Sequence, residues 1–161
     1  MLGSIIETLK TIPEAIGNAS AKKWTAEVKE RMLELGDKEG YGVLPRENEC
    51  QWLYDLVWFN NTDDTNTHLK EIVLVLESEW AADPHQIRYD FEKLFVAKAP
   101  LKVMVFEDYG RGALTLLKDG MRLFTQKDSS EVYLLAEFIA GPPSERGFRF
   151  HVLDSDANTT A

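Results

Sequence analysis

The chain has 161 residues, of which 44% are hydrophobic, so it is long enough to bury one well-packed core and short for two domains. With one cysteine, three scattered histidines and no apolar run of the roughly 18 residues that a membrane span needs, it is expected to be a cytoplasmic protein without a disulfide, a zinc site or a membrane partner. Its formal net charge of −9 disfavours a nucleic-acid partner, because phosphates are gripped by Lys and Arg.

Two helices are predicted before the first strand. The first, over residues 4–17, has an apolar stripe and is expected to form an N-terminal helical extension, residues 1–19, that packs on the core or on a second subunit. The second, over residues 20–35, puts Trp24 on its apolar face and a dense set of Lys and Glu on the other. Gly36 follows as a suitable C-cap.

The centre of the chain predicts two long strands that carry acidic residues. The first, over residues 52–59, is apolar and aromatic apart from one carboxylate, Asp55. The second, over residues 72–80, is rich in β-branched residues and leucine and ends in Glu77-Ser78-Glu79. The polar stretch 60–67 is too hydrophilic to be anything but a loop, which favours an antiparallel pair.

Three acids are predicted to meet on this pair of strands. Glu77 and Glu79 point to the same side of the sheet, because successive side chains of a strand alternate faces. A helix over residues 86–99 and a third strand over residues 101–106 follow. An unpaired carboxylate in a buried strand costs several kcal/mol, so the convergence of these acids with Asp55 indicates magnesium, manganese or calcium bound between them.

The last third of the chain predicts one helix and a hairpin. The helix covers residues 113–126, and the strands 131–139 and 148–153 are expected to be neighbours at one side of the sheet. Residues 154–161 are polar without a helical or strand pattern, which predicts a disordered tail. The sequence therefore predicts one α/β domain over residues 20–153, with a mixed sheet flanked by helices.

These elements and their acids resemble the PD-(D/E)XK nuclease superfamily, which has the restriction-endonuclease-like fold. The family's core is a helix, three antiparallel strands, a second helix and a further strand. It carries one acid on the middle strand of the three and an acid-x-lysine motif at the end of the next. The resemblance covers about residues 20–106, with a short extended piece at 41–44 as the first strand, Asp55 as the first acid and Glu77-Ser78-Glu79 as the motif.

The resemblance implies a metal-dependent nuclease that hydrolyses phosphodiester bonds of nucleic acid, DNA above all, with Mg²⁺ or Mn²⁺ as its cofactor. It implies that Asp55 and Glu77 ligate the metal, and that Glu79 ligates a second metal or acts as general base. The family's usual lysine is replaced by Glu79. In some members this lysine has moved to the following helix, where Lys93 is the candidate here, although helical spacing puts Lys93 on the side that is expected to face water.

Two other functions agree with the same residues. The missing motif lysine and the acidic composition suit a catalytically inactive restriction-endonuclease-like module that serves protein–protein interaction or regulation. A third alternative is an unrelated α/β binding domain whose acids form a calcium site. An acidic nuclease of one domain is also expected to need a homodimer or a protein partner to grip nucleic acid.

Overall fold

The computed structural model describes residues 1–17, 19–46, 52–62, 68–142 and 144–160. Within them the chain forms four helices and six strands: α1 (Leu2–Ile16), α2 (Ala21–Lys38), β1 (Gly42–Leu44), β2 (Leu56–Asn61), β3 (Leu69–Glu79), α3 (Pro84–Phe95), β4 (Leu101–Glu107), α4 (Ala113–Leu123), β5 (Val132–Ile139) and β6 (Gly147–Leu153). The strands form one sheet in the order β1 to β6. The predicted α/β domain with a mixed sheet is therefore confirmed.

The sheet combines an antiparallel meander with parallel crossovers. Strands β1, β2 and β3 pair antiparallel, β3, β4 and β5 pair parallel through α3 and α4, and β5 returns antiparallel to β6. The predicted antiparallel pair of central strands and the predicted hairpin at the end are both confirmed. Because β3, β4 and β5 are parallel, their carboxyl ends lie at one edge of the sheet, which is where open α/β sheets usually bind ligands.

Each face of the sheet is covered by two helices. Leu74 and Leu76 belong to the core under α1 and α2, whereas Val75 belongs to the core under α3 and α4. Helix α2 lies so close to β2 that a Cβ on Gly36 would come within 2.6 Å of the indole Nε1 of Trp58. Gly36 is therefore not the predicted C-cap but a packing position inside α2, and it fixes that helix against the sheet.

Several predicted boundaries are wrong; helix α4, for example, ends at Leu123 rather than at residue 126. In two cases local geometry overrides the apolar pattern. Strand β2 begins at Leu56 rather than at residue 52, since residues 53–55 form a bend. Helix α3 ends at Phe95 rather than at residue 99. Pro100 disfavours a helical conformation for the residue before it. The loop predicted at 60–67 is partly replaced by the end of β2, and its residues 63–67 lie outside the described residues.

Both ends of the described chain belong to the domain. Ile5 and Leu9 of α1 are fully buried in the same core as α2 and the sheet, so the prediction that this N-terminal helix packs on the core is confirmed. Residues 154–160, predicted to be a disordered tail, instead turn back along β6, where the backbone N–H of Thr160 donates to Val152 O at 2.9 Å. The apolar side chain of Ala157 is buried by this turn.

Candidate active site

Asp55 and Glu77 meet where β2 begins and β3 approaches its end. The strand register pairs Leu56 with Leu76, so one residue further along it Asp55 stands opposite Glu77. Asp55 Oδ2 accepts a hydrogen bond of 2.9 Å from the backbone N–H of Ser78. The side chain of Asp55 thus takes the place of a strand carbonyl, which explains why β2 starts only after it.

Glu77 is a buried carboxylate with one oxygen that has no partner. Its residue exposure is 2%, and its Oε2 accepts a hydrogen bond of 2.8 Å from Lys93 Nζ. Its Oε1 is buried and makes no hydrogen bond to any described residue. Burial raises the pKa of Glu77 to about 8, assisted by the negative charges of Asp55 and Asp90 and opposed by Lys93. Such a group is costly to leave charged unless a cation completes its coordination.

Lys93 lies inside the site rather than on the water-facing side of α3. Its Nζ is 2.8 Å from Glu77 Oε2 and 2.9 Å from Asp90 Oδ1, and only 24% of its side chain is exposed. Burial favours the neutral amine, but hydrogen bonds and charge from Glu77 and Asp90 outweigh it and raise the pKa of Lys93. The helix begins directly after the turn that follows β3, with Asp83 as its N-cap, and this start brings the middle of α3 over Glu77.

Glu79 is held by the turn after β3 instead of by the other acids. Its Oε1 accepts hydrogen bonds from the backbone N–H groups of Trp80 at 2.7 Å and Ala81 at 2.8 Å. Burial, and then a hydrogen bond to Asp90, raise the pKa of Glu79, while the two backbone donors act in the opposite direction. Glu79 and Asp90 are therefore neighbouring carboxyl groups, referred to below as the acid pair.

The predicted cluster of three metal-binding acids is therefore not formed. Among the described residues no group of three or more His, Cys, Asp or Glu side chains is arranged to hold a metal ion. Asp55, Glu77 and Lys93 do come together, and Asp90, which is not among the predicted site residues, joins them through Lys93. The spacing of Asp90 and Lys93, three residues apart on one helix, is the signal that could have found it.

A second lysine reaches the site from the other side of the sheet. Lys29 of α2 has its Nζ 3.9 Å from Asp55 Oδ1, with 22% of its side chain exposed. Asp55 stands at the end of the sheet, where the layer of α2 and the layer of α3 both come within reach. The two acids are thus flanked by one lysine each, Lys29 beside Asp55 and Lys93 beside Glu77.

Another buried lysine lies at the amino end of the parallel strands. Lys102, fully buried on β4, has its Nζ 2.6 Å from Glu131 Oε1 and donates to the hydroxyl of Tyr133 at 3.2 Å. That hydroxyl donates in turn to Glu131 Oε2 at 3.0 Å. Lys102, Glu131 and Tyr133 form a closed triangle of hydrogen bonds, which the sequence did not predict because its members come from residues about thirty positions apart.

A further buried acid occupies the carboxyl-end edge two strands away from Glu79. The register places Glu79 beside Phe106 and Phe106 beside Glu137. Glu137 is 6% exposed, and its Oε2 lies 3.0 Å from His151 Nε2 and 3.6 Å from an Arg149 nitrogen. Glu137 is therefore a buried carboxylate that is paired by neighbouring strand residues.

Comparison with known proteins adds no relative. No protein-family model, curated protein or solved structure matches the chain. Within the described residues, the helices are too short or too polar to cross a membrane. The functional argument consequently depends on the geometry around Asp55, Glu77 and Lys93.

Proposed function

We propose that this protein is a metal-dependent nuclease of the restriction-endonuclease-like fold that hydrolyses phosphodiester bonds. The order of elements supports this proposal. Helix α2, the antiparallel meander β1–β2–β3, the crossover helix α3 and the parallel strand β4 follow the order that the family's core requires. Asp55 adjoins the middle strand of the meander, and Glu77 lies on the next, as the family's two acids do.

The observation that carries the proposal is the unpartnered Oε1 of Glu77. A buried carboxylate normally has hydrogen bonds to all of its oxygens, because desolvation without compensation costs several kcal/mol. Here one oxygen is bonded to Lys93 and the other has no hydrogen-bond partner among the described residues, beside a second acid, Asp55. A divalent cation between Asp55 and Glu77 would complete this arrangement.

The donor set fits a hard cation. Asp55 and Glu77 would supply carboxylate oxygens, the ligands that Mg²⁺ and Mn²⁺ prefer, and one or two carboxylates with water are a common set for Mg²⁺. A bound Mg²⁺ or Mn²⁺ would polarise the phosphoryl group and neutralise charge that develops during hydrolysis. Glu79 is not counted as a ligand, since its carboxylate is turned to the backbone of Trp80 and Ala81.

The remaining polar groups would orient the reactants and handle protons. Lys93 supplies the positive charge that the family takes from its motif lysine, and Asp90 and Glu77 fix its ammonium from two sides. Burial and Asp90 raise the pKa of Glu79, and Glu79 is our candidate for the group that accepts a proton from the attacking water.

Cleavage of nucleic acid tests the proposal directly. With Mg²⁺ or Mn²⁺ present, the protein should nick or degrade DNA, and a chelator should stop the reaction. Glu77→Gln keeps the size of the side chain and removes the charge, so turnover should fall by a factor of roughly a hundred or more. The matched control is Glu137→Gln, which makes the same change at another buried acid on the same face of the sheet and should cleave like the wild type.

A second candidate function is favoured by the absence of a ready-made set of three ligands among the described residues. An inactive module of this fold would bind a protein partner and need no metal. Calorimetry separates the two functions: titration with Mn²⁺ should give heat for the wild type and none for Asp55→Ala. No heat for either protein, or cleavage by Glu77→Gln at the wild-type rate, would reject the nuclease.

A further inference from the structure

Lys29 is a charged residue of the site that neither the resemblance nor the proposed chemistry uses. It projects from α2, on the face of the sheet opposite to α3, and its ammonium ends beside Asp55. The position of α2 is closely determined, because the indole N–H of Trp58 donates to Met32 O at 3.0 Å and Gly36 packs against the same ring. The location of Lys29 is therefore a consequence of how α2 docks on the sheet.

The ammonium of Lys29 has unused hydrogen-bonding capacity. Its distance of 3.9 Å from Asp55 Oδ1 is an ion-pair contact but too long for a hydrogen bond, and Lys29 donates no hydrogen bond to any other described residue. Lys93, by contrast, already directs its N–H donors to the carboxylates of Glu77 and Asp90. The Lys29 side chain is 22% exposed, so it is partly packed and still reachable from solvent, as is usual for a lysine that presents its ammonium to water or to a ligand.

The other basic side chain on this part of α2 is already neutralised. Arg31 Nε donates to Glu27 at 2.9 Å, and an Arg31 nitrogen lies 3.9 Å from Glu34. In this part of α2, Lys29 is thus the basic residue whose N–H donors remain unused, and its ammonium lies next to the candidate metal ligand Asp55. The net charge of −9 repels an anionic substrate from the protein as a whole, so a lysine at the site supplies the local attraction that such a substrate needs.

We propose that Lys29 binds the phosphodiester backbone of the nucleic acid at the site, next to Asp55. This inference rests on the proposed nuclease function and adds to it the residue that contacts substrate phosphate. A lysine that grips a phosphate acts as a point charge and reads no base, so it contributes to affinity for any sequence and makes that affinity depend on salt. Lys29 then acts on substrate binding, while Glu77 acts on turnover.

The test compares Lys29→Met with Lys29→Arg and with Lys98→Met. Methionine keeps the packed stem of Lys29 and removes the charge, whereas arginine keeps the charge. Lys98 is exposed, carries the same charge and precedes β4 at the amino end of the parallel strands, so Lys98→Met is the matched control. Cleavage of a fluorescein-labelled DNA duplex with Mg²⁺ is followed at NaCl concentrations from about 50 to 200 mM.

For Lys29→Met, KM should rise about tenfold while kcat stays within about twofold of the wild type. The plot of log kcat/KM against log salt should become shallower by about one unit. Lys29→Arg should restore most of the affinity, and Lys98→Met should behave like the wild type. Folding of each variant is checked by its thermal midpoint.

Two results would overturn the inference while leaving the nuclease intact. Lys29→Met could retain the wild-type KM and salt slope, which would exclude a phosphate contact. It could instead lose kcat at constant KM, which would mean that Lys29 only orients Asp55. A wild-type protein that cleaves nothing would overturn the proposed function itself, and this inference with it.

Discussion

Two lysine–carboxylate pairs, each with one buried member, lie on the same face of the sheet and differ in how completely their oxygens are hydrogen-bonded. At the amino end of the parallel strands, each oxygen of Glu131 is bonded, one to Lys102 and the other to Tyr133. Towards the carboxyl end, Lys93 bonds one oxygen of Glu77 and leaves the other without a partner among the described residues. In the first pair both carboxylate oxygens are bonded, whereas in the second one oxygen is left for a ligand to bind.

The free-energy cost of burying ionisable groups is offset differently at the two pairs. Burial lowers the pKa of Lys102 and, together with Glu131, raises that of Tyr133, yet the three groups compensate one another through short contacts. Burial raises the pKa of Glu77, and the nearby acids raise it further. A network in which every buried polar group is paired stabilises the fold. A network that leaves one buried group unpaired is typical of a binding site without its ligand.

The largest expected effect is at the closed triangle. Lys102→Met should lower the free energy of unfolding by about 3 to 5 kcal/mol, because it leaves Glu131 partly buried without its cation. Lys93→Met should cost clearly less, since Glu77 has a pKa of about 8 even beside Lys93 and can stay protonated at pH 7. Urea unfolding at pH 7 in the presence of a chelator measures both.

A double variant provides the control for this comparison. Lys102→Met with Glu131→Gln removes both charges of the pair, and it should recover part of the stability that the single change loses. Equal losses for Lys102→Met and Lys93→Met would contradict the distinction between a closed and an open pair.

The next effect is a difference in pH dependence between Glu77→Gln and the wild type. The pKa of Glu77 is about 8 in the folded protein against an ordinary value of 4.5, so between these values the folded state holds a proton that the unfolded state has released. The free energy of unfolding of the metal-free wild type should therefore fall as pH rises through this window, by at most about 1.4 kcal/mol for each pH unit.

Glu77→Gln has no such proton and should lack this part of the slope. The two proteins should differ least near pH 4.5, and the variant should gain on the wild type up to about pH 8. Urea midpoints measured in a pH series with a chelator give the difference directly. Parallel stability curves for the two proteins would show that Glu77 titrates normally and is not desolvated in solution.

The sequence predicted the parts of this structure that depend on local patterns. Alternation along β3 places Val75 and Glu77 on one face, and the spacing of Ile87 and Phe91 gives α3 its buried side. These patterns report which side of an element is buried. They led to the right strand neighbours and brought Asp55 and Glu77 together.

The missed features depend on how elements dock. Lys29 and Asp55 meet only because α2 crosses the start of β2, which no periodicity reports. The apolar stripe of α3 predicts a water-facing Lys93 because the stripe marks only the centre of the buried face. Lys93 lies at the edge of that face, where it contacts Glu77. Glu79 was assigned to the cluster because alternation ignores the turn after β3, whose backbone N–H groups compete for its carboxylate.

The smallest expected effect concerns the acid pair beside the open site. Asp90→Asn replaces an acidic neighbour of Glu79 with an amide that can donate a hydrogen bond to the Glu79 carboxylate. The pKa of Glu79, which burial and Asp90 both raise, should therefore fall, as followed by carbon NMR titration of its side-chain carboxyl. The free energy of unfolding should change by less than about 1 kcal/mol, because Asp90 and Lys93 are a partly exposed pair on one helix.

Glu92→Gln is the control for this last change, since Glu92 lies on the same helix and pairs with Arg88 on its exposed surface. It removes one negative charge from α3 without touching the acid pair, so it should leave the titration of Glu79 where it is in the wild type. If Asp90→Asn and Glu92→Gln shifted the pKa of Glu79 equally, the effect would come from general charge on α3 rather than from Asp90 in particular. Asp90 would then have no specific part in tuning Glu79, the candidate proton acceptor beside the open pair.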